Sequence, residues 1–256
     1  MNALFIIDDN RNPELAIKFY NSIRKFHNSD ELSVKIIKRE DFPEFMADSM
    51  FYYKAKAMIA HKFLEFYETV IVADADHIMT GDISHILSLT DYDAGCVLNF
   101  NSKDVKEYGA VSVWDIAPQE YLNAGFIAFR SEEFASHLLQ LCNSKHFDNY
   151  QYKEQDLLNI LAHYGNYNVR IFDLYDPEYN YSAFHGLVSK AWWNMIIMQN
   201  DKLIITPKNV PAVRNNVEVK LIHWAGGNTN KMNYKIYFTD EVSKRLDYLV
   251  SEVKDA

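Results

Sequence analysis

Short, uninterrupted apolar runs alternate with stretches of helical periodicity through the first hundred residues. This alternation constrains the fold more than any other feature of the chain. Residues 3–7 are all apolar and end at Asp8-Asp9-Asn10, the pattern of a strand buried on both faces of a parallel sheet. Asn12-Pro13-Glu14 then supplies a capping residue, a proline suited to the first helical position and an early acid. Ala16, Phe19, Tyr20, Ile23 and Phe26 follow at helical spacing. Leu32–Ile37 reads as a second strand, 53–67 as a helix, Thr69-Val70-Ile71-Val72-Ala73 as a buried strand, 83–89 as a short helix and Ala94–Leu98 as another strand. Such an order predicts right-handed crossovers and a layered α/β sheet. In sheets of this kind ligands sit beyond the carboxyl ends of the strands. Asp8 and Asp74, each directly after an apolar run, therefore fall on the ligand edge.

The second half is less regular. Residues 125–129 are strand-like, 131–142 helical with Ser131 as cap, 153–163 helical and 169–172 a strand. Residues 176–200 carry Tyr181, Phe184, His185, Trp192 and Trp193 without clear periodicity, which predicts an irregular, partly aromatic wall. Residues 221–224 read as a last strand and 242–253 as a closing helix. No repeat or linker divides the chain, so one domain over 1–256 is expected.

Charge and cysteine content narrow the function classes. Twenty-six Lys and Arg against 35 Asp and Glu leave a net charge of −9, and a chain this acidic gains no counterion-release affinity for a phosphate backbone. Nucleic-acid binding is thus disfavoured. Cys96 and Cys142 fit no zinc spacing and read as reduced core residues. The N-terminal apolar run is too short for a signal peptide and lacks a basic leader, and no stretch is long enough for a membrane span. The expectation is a soluble, cytoplasmic protein.

The sharpest chemical signal is Asp74-Ala75-Asp76. A strand period of two puts both carboxylates on one side where the strand runs out, and two hard oxygen donors suit Mn²⁺ or Mg²⁺ bridging phosphates. Haloacid-dehalogenase-like phosphohydrolases also place Asp-x-Asp after a buried strand, with the first Asp, here Asp74, as nucleophile. They usually carry Thr or Val where this chain has Ile78.

Five segments in order resemble glycosyltransferase family 8, retaining enzymes of the GT-A fold that use sugar nucleotides. They are Ile7-Asp8-Asp9-Asn10, residues 67–83 (YETVIVADADHIMTGDI), 121–129 (YLNAGFIAF), Glu154-Gln155-Asp156-Leu157-Leu158-Asn159 and, in part, Ile222-His223-Trp224-Ala225-Gly226. The resemblance implies a Rossmann-like, mostly parallel central sheet flanked by helices, with a nucleotide-binding half over about 1–115 and a sugar- and acceptor-side half over about 116–256. It implies a metal-dependent transfer of a hexose from a UDP-sugar to an acceptor hydroxyl of a glycan, protein or small molecule, with retention. Asp74, Asp76 and His223 would hold Mn²⁺ (or Mg²⁺), and Asp8 and Asn10 would face the uridine. Lys56, Asp156 and Lys231 would lie on the donor side, with Asn123, Glu154 and Gln155 beside the reaction centre. Two departures stand out: the family's lysine after its late His and Gly is displaced to Lys231, and Arg11 stands where an aromatic often follows the Asp-Asn element.

Each assignment has a structural counterpart. Asp8 can cap a turn, Asn123 satisfy a turn backbone and Glu154 complement a helix dipole. Gln155 can be merely solvated, His223 a hydrogen-bonded core histidine, and Lys56 an exposed helix lysine. A catalytically silent sugar-nucleotide-binding protein of the same fold is the remaining alternative.

Overall fold

The computed structural model describes residues 1–8, 13–43, 51–98, 116, 120–172, 183–185, 196–206, 216–223 and 238–253. Its main sheet is built from β1 (Asn2–Ile7), β2 (Leu32–Ile37), β3 (Thr69–Asp74), β5 (Ala94–Leu98), β6 (Leu122–Phe129) and β7 (Val169–Ile171), in the order β2-β1-β3-β6-β5-β7. Five of these strands run in one direction. Only β6 is reversed, antiparallel to both β3 and β5. The apolar runs of β1 and β3 are buried along their whole length, as expected of strands covered on both faces.

Alternation along the strands assigns the two faces. Phe5, Val70, Val72, Ile127 and Phe129 pack beneath α2 (Phe51–Phe63), α4 (Glu132–Cys142) and α5 (Glu154–Tyr164). Leu4, Ile6, Ile71, Ala73 and Phe126 pack on the other face against α1 (Pro13–Arg24) and α3 (Ser84–Ser88). Helix α1 begins on Pro13, and Ser131 caps α4 by accepting a hydrogen bond from the Phe134 amide at 3.1 Å. Cys96 and Cys142 are free and buried in the α2-side core.

Two small sheets complete the described fold. β4 (His77–Met79), β12 (Leu221–His223) and β8 (Ala183–His185) form one, with His77 directly opposite His223. β9 (Ile196–Gln199), β10 (Lys202–Ile205) and β11 (Val217–Glu218) form a meander. Its β9–β10 hairpin turns on Asn200 and Asp201, both at positive φ (51° and 60°), as a two-residue primed turn requires. A third cluster of Ile78, Leu203, Ile205 and Ile222 joins these strands to α6 (Asp240–Val250). Among the described residues no helix is long and apolar enough to cross a membrane.

Several boundaries differ from the sequence expectation. β3 runs through Asp74 and then bends at Ala75 and Asp76, so the strand period does not carry the first carboxylate's face over to the second. β6 begins at Leu122, not 125, because the Asn159 side chain satisfies both the amide and the carbonyl of Leu122, at 2.6 and 2.9 Å. Helix α6 covers Asp240–Val250, capped by Thr239, so Asp240 and Glu241 lie in its first turn, where they complement the dipole.

Candidate functional site

The carboxyl ends of β1 and β3 place Asp8 and Asp74 on one edge of the main sheet. The reversed β6 brings its amino end, and with it Asn123, to that same edge. There β6 bulges: Cys96 faces Ile127 while Val97 faces Asn123, leaving Ala124 to Phe126 without partners on β5. Helix α2 supplies Lys56, the start of α5 supplies Glu154 and Gln155, and the end of β12 supplies His223. Asn10 and Lys231 lie outside the described residues, as do Tyr181, Trp192 and Trp193 of the expected aromatic wall. Phe184 and His185 fall in β8.

Lys56 is the electrostatic hub. It is buried, and its Nζ lies 2.8 Å from Asp74 Oδ1 and 3.1 Å from Glu154 Oε1. Burial works against the ammonium, but the two carboxylates outweigh it and hold the lysine above its ordinary range. Burial, joined by the charge of Asp74, pushes Glu154 up to about 7 despite the lysine beside it. The exposed-lysine alternative for Lys56 is therefore overturned. Immediately before Glu154, Lys153 adopts φ 50°, a conformation that costs a non-glycine residue about 1–3 kcal/mol and clusters at functional sites.

Gln155 and Asn123 form a clamp whose amide orientations are dictated by backbone donors. The Gly125 amide donates to Asn123 Oδ1 at 2.8 Å, which turns Asn123 Nδ2 toward Gln155 Oε1 at 3.2 Å. The Ala124 amide donates to the same Gln155 oxygen at 3.0 Å. Two donors thus occupy the carbonyl oxygen of Gln155, and its Nε2 donates to Tyr121 Oη at 3.4 Å. Asp156 is buried behind this clamp: it accepts from Tyr121 Oη at 2.5 Å and from the Tyr152 amide at 2.9 Å. Its contacts are those of a scaffold residue that holds Tyr121, which in turn fixes Gln155. Gln155 is no solvated side chain here.

Asp76 turns away from Lys56 toward the small sheet. Its Oδ1 lies 3.2 Å from His223 Nε2 and 3.8 Å from His77 Nδ1. Burial pushes the Asp76 carboxyl up, but its interaction with the adjacent imidazoles, His223 foremost, outweighs burial and holds Asp76 below the usual carboxylate range. Oδ1 has no hydrogen-bond donor among the described residues. A buried carboxylate oxygen with a nearby imidazole and no donor is a fitting place for a divalent cation, which would relieve that desolvation. Asp76, His77 and His223 offer donor atoms all within 4.8 Å of one another.

Ring geometry divides the two histidines. A histidine-bound metal lies in the plane of the ring, roughly 2.0–2.1 Å from nitrogen for zinc. The His77 and His223 rings are stacked 3.9 Å apart and only 12° from parallel, so they share no in-plane point at that distance. In this arrangement one of them can ligate an ion that also touches Asp76, not both. The His77 nitrogen that approaches Asp76 is Nδ1, 3.8 Å from Oδ1, and that nitrogen is committed elsewhere: it lies 2.8 Å from the Asp74 carbonyl oxygen and must donate to it. Burial, and then the His223 ring, keep His77 neutral, well below its ordinary value.

Gly125 makes room for His223. A Cβ at this position would stand 2.2 Å from His223 Cε1 and 2.9 Å from Nδ1. Gly125 lies within β6, as its strand pattern predicts, but neither its part in seating His223 nor any role for His77 is read from the sequence. The signals were their places directly after Asn123-Ala124 and directly after Asp76.

No protein-family model matches the chain, and no curated protein matches it in sequence. Solved structures do. The chain is similar to the galactosyltransferase LgtC in complex with donor and acceptor sugar analogues, at 15% identity over 99% of this chain and 98% of that one, with a TM-score of 0.61. It is similar to a glycosyltransferase involved in glycosylation of the major capsid of PBCV-1, at 10% identity, 97% and 98% coverage and a TM-score of 0.55. Apo WbbM, a bifunctional glycosyltransferase, matches at 16% identity with a TM-score of 0.62 over 98% of this chain and 49% of that one. These likenesses establish the fold, the mixed α/β GT-A architecture of glycosyltransferases.

Proposed function

We propose that the protein is a metal-dependent glycosyltransferase of family 8 that moves a hexose from a UDP-sugar to an acceptor hydroxyl with retention. The observation that carries this reading is the meeting, at one sheet edge of a glycosyltransferase fold, of the Asp76–His223 pair, the Lys56–Asp74–Glu154 triad and the Asn123–Gln155 clamp. Asp74, Asp76 and His223 would hold Mn²⁺, and Asp8 and Asn10 would face the uridine. A divalent metal at this place supplies Lewis-acid stabilisation to a departing diphosphate. Lys56 carries the fixed positive charge of the donor pocket, and Lys231 is assigned to the phosphates.

Retention requires either a nucleophile on the face opposite the leaving group or attack from the same face. The two candidate side chains are both engaged. Gln155 Oε1 already accepts two hydrogen bonds, and Glu154 is buried against Lys56. These contacts favour front-face attack by the acceptor hydroxyl, with Gln155 and Asn123 orienting the donor sugar. Glycosyl transfer of this kind passes through an oxocarbenium-like state. The −9 charge disfavours nucleic acid as a partner, and glycan, protein or small-molecule acceptors remain.

Thermal shifts with UDP, GDP, UDP-glucose, UDP-galactose, UDP-GlcNAc and GDP-mannose, each with and without Mn²⁺, test the donor class. A Mn²⁺-dependent rise with one UDP-sugar, and slow hydrolysis of that sugar, is the expected result. No rise with any nucleotide would overturn the reading. Binding without hydrolysis or transfer would favour a silent binder, and phosphate release from simple monoesters would favour a phosphohydrolase using Asp74.

A further inference from the structure

His77 does no chemistry in the reading above, yet it is completely buried at the centre of the site. Three contacts define it. Its Nδ1–H donates to the carbonyl of Asp74 at 2.8 Å, which fixes the tautomer, since a carbonyl can only accept. One ring face stacks on His223 at 3.9 Å, and Phe19 stacks at 5.3 Å and 28°. Its Nε2 is buried without a hydrogen-bond partner among the described residues. A histidine serving only as core filler gains nothing from that buried, unsatisfied nitrogen, and phenylalanine would fill the space without it. The return comes at the other nitrogen, which ties down the turn carrying Asp74, Ala75 and Asp76 while the ring face lies on His223.

We propose that His77 is the positioning residue of the metal centre: it sets the Asp74–Asp76 turn against His223 without ligating the ion itself. This rests on the reading of Asp76 and His223 as metal ligands. Side chains that orient first-shell ligands typically change metal affinity by about 10–100-fold when removed. Phenylalanine at position 77 keeps the stacked ring and loses the N–H. Asparagine keeps a donor close to the place of Nδ1 and loses the ring.

The test is a Mn²⁺ titration followed by the electron paramagnetic resonance signal of the free ion, with and without UDP, on the full chain. The wild type, Asp76→Asn, His77→Phe and His77→Asn are compared, with melting temperature recorded for each. The expected result is loss of binding in Asp76→Asn, a loss of about 10–100-fold in His77→Phe although that variant stays folded at the assay temperature, and recovery of most of that affinity in His77→Asn. Wild-type Mn²⁺ affinity in His77→Phe, with binding still lost in Asp76→Asn, overturns the role of His77 alone. So does a fall in affinity that tracks a fall in melting temperature in both His77 variants. Absence of Mn²⁺ binding in the wild type, or its persistence in Asp76→Asn, overturns the metal-site reading instead.

Discussion

Replacing Gly125 by alanine separates damage to the fold from damage to the site. The added methyl would lie 2.2 Å from His223 Cε1, whereas ordinary contact begins at 3.4 Å, so the ring must retreat by 1.2 Å. His77, stacked 3.9 Å away, restricts where it can go. Overpacking of this kind costs about 1–3 kcal/mol. For a domain of this size that lowers the melting temperature by roughly 2–4 °C per kcal/mol. Gly95→Ala is the matched control, because a Cβ there would meet Phe172 Cε2 and Cζ at the same 2.2 Å, near the amino end of β5 and on residues outside the candidate site. Both variants should melt at lower temperature than the wild type. They should part company when Mn²⁺ and the UDP-sugar are added at a hundred times their dissociation constants. Such a ligand stabilises by about 2.7 kcal/mol, or roughly 5–10 °C here. Gly95→Ala should keep that rise and Gly125→Ala should lose most of it. A full ligand-induced rise in Gly125→Ala would refute the argument that the glycine exists to seat His223.

Three further outcomes follow from described contacts. Glu154, raised to about 7, binds a proton in the folded protein that the unfolded chain releases nearer 4.5; its contribution to stability is present at low pH and lost as pH rises through that window. Melting curves between pH 5 and 8 should therefore show a smaller fall in Glu154→Gln than in the wild type, and equal slopes would contradict it. Burial pushes the Cys142 thiol up to about 12 and Cys96 higher still, so a thiol reagent should label neither in the native protein and both in guanidinium. Asp201→Gly should raise stability by up to about 1 kcal/mol, read as a higher urea midpoint, since position 201 sits at φ 60° in a two-residue hairpin turn.

Much of the scaffold is legible from local pattern. Leu32–Ile37 and Ala94–Leu98 are strands to the residue, and Ser131 caps its helix, because apolar runs and capping chemistry act over a few neighbours. The three-residue β4 and the β9–β11 meander carry too few residues for a period to emerge; they are held by partners far along the chain. The site divides in the same way. Asp74 and Asp76 announce themselves at the end of an apolar strand, but nothing near Lys56 in the sequence says that it is buried. That depends on Glu154, ninety-eight residues away, reaching back to it. The stacking of His77 on His223 likewise depends on β4 and β12 meeting in register.

The reversed strand β6 has a consequence for how the chain is made. β3 and β5 are consecutive long strands of the main sheet, yet they do not touch, since β6 lies between them. When β3 leaves the ribosome its outer side is an open ladder, with hydrogen-bonding groups at Val70 to Ala73 waiting for Phe126 to Phe129. At about 5–20 residues per second the remaining synthesis from Asp74 to Phe129 takes roughly 3–11 s. Throughout that interval the nascent protein displays an apolar edge able to pair with another chain. A product ending near residue 115 would display it permanently, so the half-length chain is expected to aggregate, whereas the full-length chain closes its own seam.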